Sequence, residues 1–199
     1  MAISRFAASR VTQGLPKYQS AWDSDNVQQG ALVPIAQVVS TGSSASMIFS
    51  NIPQVYRDLK VIVSGRSTHS GATSFSTYLN NTGFNGWSQT RFFAINTTIT
   101  TDRLTQSSPT YGFILETGWT STAAGVFSAA EIDIFNYSSS STFKSVFGRN
   151  AFEQGTSGIT EMNVATWANN AAVTNVDIAT NGTWVGGSTA TLYGVKAGV

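Results

Sequence analysis

The chain has one histidine, His69, in the segment Arg66-Ser67-Thr68-His69-Ser70-Gly71. A histidine beside serines is raw material for general-base chemistry. A triad also needs an orienting acid and a presented nucleophile, and no G-x-S-x-G elbow occurs; His69 reads as an ordinary loop residue. Glu131 and Asp133 stand two apart in Ala130-Glu131-Ile132-Asp133-Ile134. On a strand they face the same way, which is the crude requirement for glycoside hydrolysis by paired carboxylates. Ala130, Ile132 and Ile134 take the opposite phase, so the two acids read as the wet side of a half-buried strand. Asp23 and Asp25 begin like a calcium loop but lack the glycine and the distal glutamate that such a loop needs. Gly186-Gly187-Ser188 does not join a strand to a helix and reads as a turn, not a phosphate cradle. Trp87, Phe92, Phe93, Trp119, Trp167 and Trp184 would stack on sugar rings if they faced solvent; a core or a subunit interface is the commoner place for such side chains. No catalytic residue, metal ligand or cofactor is therefore expected.

The bulk composition points the same way. Charged residues make up 11% of the 199 residues, against about 25% in typical soluble domains. Ser, Thr, Asn and Gly fill the polar positions, and uncharged polar groups desolvate at lower cost than charges when a surface packs against a neighbour. The formal net charge is +1, with no basic stripe of the kind that nucleic-acid binding requires. The absence of cysteine removes disulfides, thiolate metal sites and thiol nucleophiles. Met1-Ala2-Ile3-Ser4-Arg5 lacks the apolar run of a signal peptide, and no apolar run approaches the roughly 18 residues that span a bilayer. Neither nucleic acid nor membrane is an expected partner.

The elements that must position these side chains have period two. Met47 and Phe49, then Leu59, Val61 and Val63, then Phe75, Thr77 and Leu79 alternate with more polar neighbours. So do Ala130, Ile132 and Ile134, Phe143, Ser145 and Phe147, and Val176 and Ile178; the last run sets Thr191, Tyr193 and Val195 against Leu192, Gly194 and Lys196. Such alternation marks half-buried antiparallel strands. Breaker clusters such as Thr41-Gly42-Ser43-Ser44, Asn80-Asn81-Thr82-Gly83 and Asn181-Gly182 separate them. The spacing predicts an all-β antiparallel sandwich of about nine or ten strands, a jelly roll or a related Greek key, over residues 31–199.

Residues 1–30 differ. Ala2 to Lys17 carries three cations and no acid, Ile3 and Phe6 fall on one side of a helix too short to stand alone, and Gly14-Leu15-Pro16 ends it. This stretch reads as an extended docking arm and linker. Arg5, Arg10 and Lys17 would meet acidic patches, and Phe6, Leu15, Tyr18 and Trp22 would serve as apolar anchors.

Phe49-Ser50-Asn51-Ile52-Pro53-Gln54-Val55-Tyr56 followed by Arg57-Asp58-Leu59-Lys60-Val61-Ile62-Val63-Ser64-Gly65-Arg66, then Ile132-Asp133-Ile134-Phe135-Asn136-Tyr137 and Lys144-Ser145, and finally Ser188-Thr189-Ala190-Thr191-Leu192-Tyr193-Gly194-Val195-Lys196, form a set. Together with Val11-Thr12-Gln13-Gly14-Leu15-Pro16-Lys17 it resembles a family of small virion structural proteins of tailed bacteriophages, common in phages of cyanobacteria and other aquatic bacteria. The resemblance implies a β-sandwich located in the virion, assembled in the reducing cytoplasm of a bacterial host. It does not fix the place in the particle; the leading expectation is a capsid decoration or cement protein on the head, a homo-oligomer and most simply a trimer, whose partner is the major capsid protein. The alternative is a tail fibre, tail tip or adaptor component that docks on tail proteins and carries a receptor- or glycan-binding head. A carbohydrate-active enzyme on the same scaffold is the third and least supported expectation.

Overall fold

The period-two runs become strands in a computed structural model that describes residues 32–71, 73–81, 86–105, 112–118, 125–154 and 157–196. The seven arm residues, Arg5, Phe6, Arg10, Leu15, Lys17, Tyr18 and Trp22, lie outside the described residues, as do Asp23, Asp25 and Trp119. In chain order the strands are β1 (Leu32–Val39), β2 (Ser46–Phe49), β3 (Asp58–Gly65), β4 (Thr73–Leu79), β5 (Trp87–Ile95) and β6 (Thr98–Thr105). They continue as β7 (Phe113–Thr117), β8 (Ser128–Phe135), β9 (Lys144–Gln154), β10 (Ser157–Trp167), β11 (Val176–Thr180) and β12 (Thr189–Val195). There are thus twelve among the described residues, rather than nine or ten. The strands that match no alternating run named from sequence are β1, β5, β6, β7 and β10.

Eight strands form one sheet in the order β1-β12-β3-β8-β9-β10-β5-β6, and four form the other in the order β2-β11-β4-β7. The pairings β1 with β12, β2 with β11, β3 with β8 and β4 with β7 are all antiparallel and nested along the chain. This is jelly-roll topology. Two inserted hairpins, β5–β6 and β9–β10, extend the larger sheet beyond β8, with β9 on β8 and β10 on β5.

The core lies between the sheets. Met47, Phe49, Leu59, Val61, Val63, Phe75, Ile132, Ile134, Val176 and Ile178 are buried in the phase that the alternation predicts. Trp184 fills the centre: its ring lies 5.8 Å from that of Phe75, and its Nε1 donates to Ile178 O at 3.0 Å. Trp87 and Trp167 stack at 6.2 Å between centroids. The β9 run takes the opposite phase from that expected. On β9 Phe143 is exposed, while Lys144 and Val146 are buried. The Lys144 ammonium donates to Ser139 O and Thr142 O, each at 2.7 Å, and to Asn170 O at 3.3 Å, so backbone carbonyls replace its water. On β12 Ala190 and Leu192 point inward, and Tyr193 is half-buried on the outer face.

Three segments, Pro53 to Asp58, Asn136-Tyr137 and the end of β12 at Gly194, meet at one end of the sandwich. The Tyr137 hydroxyl donates to Pro53 O and accepts from Tyr56 N. Asp58 Oδ1 accepts from Asn136 N at 3.0 Å. The Tyr56 ring lies over Gly194 so closely that a Cβ at that position would overlap it. These motifs are a packing node, which is a physical reason for their residue types.

Candidate functional site

His69 sits in a turn of its own making, where Gly71 N donates to Nδ1 at 3.2 Å. Glu131 and Asp133 do lie side by side on the outer face of β8, with Lys60 between them. Its Nζ is 2.7 Å from Asp133 Oδ1 and also bonds Glu131. Arg149 donates to Glu131 from the other side, with Nε at 2.7 Å. The bonds from Lys60 and then Arg149 hold the Glu131 carboxyl below the usual carboxylate range. Burial pulls Lys60 downward, but Asp133 and Glu131 outweigh it and hold the ammonium above its ordinary value. A general acid needs the opposite shift, so this quartet is a surface ion lattice.

A second polar cluster was not visible in the sequence. The inner faces of β5, β9 and β10 carry Gln89, Asn150, Glu161 and Asn163, all buried, together with Arg91. They face β7, the edge strand of the smaller sheet. Gln89 donates to Ile114 O at 2.8 Å and accepts from Ile114 N at 3.1 Å. Asn163 donates to the same Ile114 O at 2.7 Å. Glu161 Oε2 accepts from Glu116 N at 2.8 Å, and Asn150 donates to Glu116 O. Every outward backbone group of Ile114 and Glu116 thus ends on a side chain of the larger sheet. An edge strand leaves such groups unpaired, and here amide and carboxylate side chains replace the missing neighbour. Arg91 ties the cluster together, at 3.1 Å from Glu161 and 2.8 Å from Glu116. Burial and then the Glu161 charge push the Glu116 carboxyl above its ordinary value, partly offset by Arg91. Both carboxylates are committed to backbone or guanidinium partners, so the cluster is a strand dock.

Because the polar side chains of β5 and β10 point inward, their apolar neighbours point outward. Phe92, Met162 and Val164 are 48%, 49% and 55% exposed. Ile62, Glu131, Arg149, Met162 and Phe92 stand opposite one another on β3, β8, β9, β10 and β5. The adjacent row on β8, β9, β10 and β5 is small: Ala129, Ala151, Thr160 and Ala94. Small beside large leaves a trough of about 550 Å³ on the outer face, running across the strands. Its lining is mostly apolar; the polar members are Thr160, the Glu131–Arg149 pair, and Asn150 and Glu161, whose side chains are buried on the other face. Of the aromatics singled out from sequence, Phe92 lines this groove, and Trp87, Trp167 and Trp184 lie in the core. The signal that could have found it is the apolar phase of Phe92, Met162 and Val164 opposing the phase of Glu161 and Asn163.

Among the described residues, no group of three or more His, Asp or Glu side chains could hold a metal ion. No helix among them is long and apolar enough to cross a membrane. Fold and site together define a jelly-roll sandwich with an enlarged sheet whose outer face carries an apolar groove. No family model matches the chain, and neither a curated protein nor a solved structure matches it.

Proposed function

We propose that this chain is a structural protein of a tailed-phage particle, a decoration or cement subunit on the head, that works by docking on other proteins. The observation that carries the reading is the apolar groove. An exposed apolar concavity on a soluble body marks a binding surface, and this one has a closed ion lattice at its side in place of an acid–base pair. The charge-poor surface supports the same reading, because Ser, Thr and Asn desolvate against a neighbouring subunit at low cost. The motifs on which the resemblance to phage structural proteins rests include Tyr56, Tyr137 and Gly194, which pack together in this chain.

The test is incorporation into particles. Labelled wild-type chain is expected in many copies over the shell. Deletion of residues 1–22 is expected to leave a folded sandwich that no longer incorporates. Met162→Lys, which places a charge in the groove, is expected to weaken incorporation at least about tenfold, the equivalent of roughly 1.4 kcal/mol. Label confined to tails would reject the head assignment, and undiminished incorporation of both variants would reject docking through these surfaces.

A further inference from the structure

We infer that the groove is the receptor for the N-terminal segment of a second copy of this chain, residues 2–11 docking as a short helix. This rests on the reading of the chain as a multi-copy docking protein, and it names the partner of that site. The groove crosses five strands, so no occupant can extend the sheet along it; it offers side chains only. It therefore suits an element whose backbone bonds are internal, the helix-in-groove mode.

The dimensions agree. Four strand spacings give a trough of about 19 Å, and a ten-residue helix is about 15 Å long. Ile3, Phe6, Ala7 and Arg10 follow the i, i+3, i+4, i+7 pattern, which sets two large apolar side chains and one small one along one face. The helix is too short to persist alone and would form on docking. Charge agrees as well. Beyond the alanine floor, β9 presents Glu153, which is exposed and takes part in no ion pair among the described residues. The segment brings Arg5 and Arg10 and no acid before Asp23.

Chain length brings a neighbour's groove within reach. Leu32 is level with Val195 and Asp58. From there the groove centre is about four strand spacings across and four residues along, about 23 Å, which about seven extended residues cover. Residues 12–31 supply nearly three times that, about 66 Å when extended, while the sandwich has a radius of gyration of only about 15 Å. The connection is long enough to pass across one subunit and enter the next.

The chain lacks cysteine, so single cysteines report contacts without background. Full-length Ala7→Cys chain, carrying a size tag, is mixed with untagged Ala151→Cys chain and oxidised mildly; Ile48→Cys, exposed on the outer face of the smaller sheet, is the control partner. Disulfide-linked heterodimer is expected at least about tenfold faster with Cys at 151 than with Cys at 48, as local concentration dictates. Adding Met162→Lys to the Ala151→Cys chain is expected to abolish that advantage. Equal rates with the two partners would overturn the inference, as would closure only within one chain in the double variant. If the cross-link fails while Met162→Lys still blocks incorporation into particles, the inference falls and the proposed function stands.

Discussion

Replacing Gln89 by leucine tests whether the buried amides of the larger sheet stand in for a missing strand. Gln89 and Ile114 are 1% and 5% exposed, so water cannot replace a lost partner at either. Leucine keeps the bulk of the side chain but leaves Ile114 N–H without its only acceptor. An orphaned buried donor costs about 1–3 kcal/mol. Ile114 C=O is still served by Asn163 at 2.7 Å, so the loss for Gln89→Leu is expected near 2 kcal/mol. Asn163→Leu alone leaves that carbonyl on Gln89 at 2.8 Å and should cost less, about 1 kcal/mol by the same scale. The double variant strips the carbonyl of both donors. Its loss should exceed the sum of the singles by about 1 kcal/mol, within the usual range for residues that share a partner. Urea unfolding followed by tryptophan fluorescence measures this. With a slope of about 2 kcal/mol per molar, the Gln89→Leu midpoint falls by roughly 1 M, and the double variant's by roughly 2 M. A wild-type midpoint for Gln89→Leu, or strict additivity in the double variant, would refute the idea that these amides seal the edge of β7.

Three further outcomes follow from the electrostatics and the packing. Glu116 has a raised carboxyl, so the folded state binds its proton more tightly than the unfolded chain, and stability falls as pH climbs from the ordinary value through the raised one. Glu131 has a lowered carboxyl, so its contribution is present above the ordinary value and is lost as pH falls through the lowered one. In thermal melts, Glu116→Gln should therefore be at least as stable as wild type at about pH 7, with the advantage gone at about pH 4; Glu131→Gln should be less stable at about pH 7, with the deficit gone at low pH. Gly65→Ala places a methyl group into the Trp184 ring, which is fully buried and held by its bond to Ile178 O; overpacking should cost about 1–3 kcal/mol, read as a lower melting temperature with altered near-ultraviolet dichroism.

Six of the eight jelly-roll strands were legible because each carries its apolar residues in one phase, as Leu59, Val61 and Val63 do on β3; β1 and β7 have no such alternation. Of the two added hairpins only β9 was, and in the wrong phase. On β9 the inward residues Lys144, Gly148 and Asn150 are not apolar, and the exposed Phe143 and half-buried Phe147 mimic a core face. The cluster around Arg91 was illegible for a different reason. Gln89, Glu116, Glu161 and Asn163 come from three strands far apart in sequence, and each looks like an ordinary wet residue until the topology brings β7 across β10. The groove was hidden by the same inversion: Phe92 was expected in a core or a subunit interface, and no alternation singled out Met162. Glu131 and Asp133 were placed correctly on the wet side, but their neutralisation by Lys60 and Arg149 depends on cross-strand register that sequence spacing does not give.

The polar dock and the apolar groove have one physical cause. A strand slipped by one residue exchanges its two faces. On β10 such a slip would bury Met162 and Val164 and expose Glu161 and Asn163, which burial of apolar surface alone would favour by roughly 1.5–3 kcal/mol per large side chain. The observed register is the reverse, so something must outweigh that gain. In the slipped arrangement Ile114 and Glu116 would face methyl groups, leaving up to four buried backbone groups without partners at about 1–3 kcal/mol each, and Arg91 would lose its Glu161 carboxylate. The dock therefore holds β5 and β10 in the phase that keeps Phe92 and Met162 outside, and the groove exists because β7 needs an edge partner. Variants that weaken the dock should disturb the groove first, because Asn150 and Glu161 belong to both.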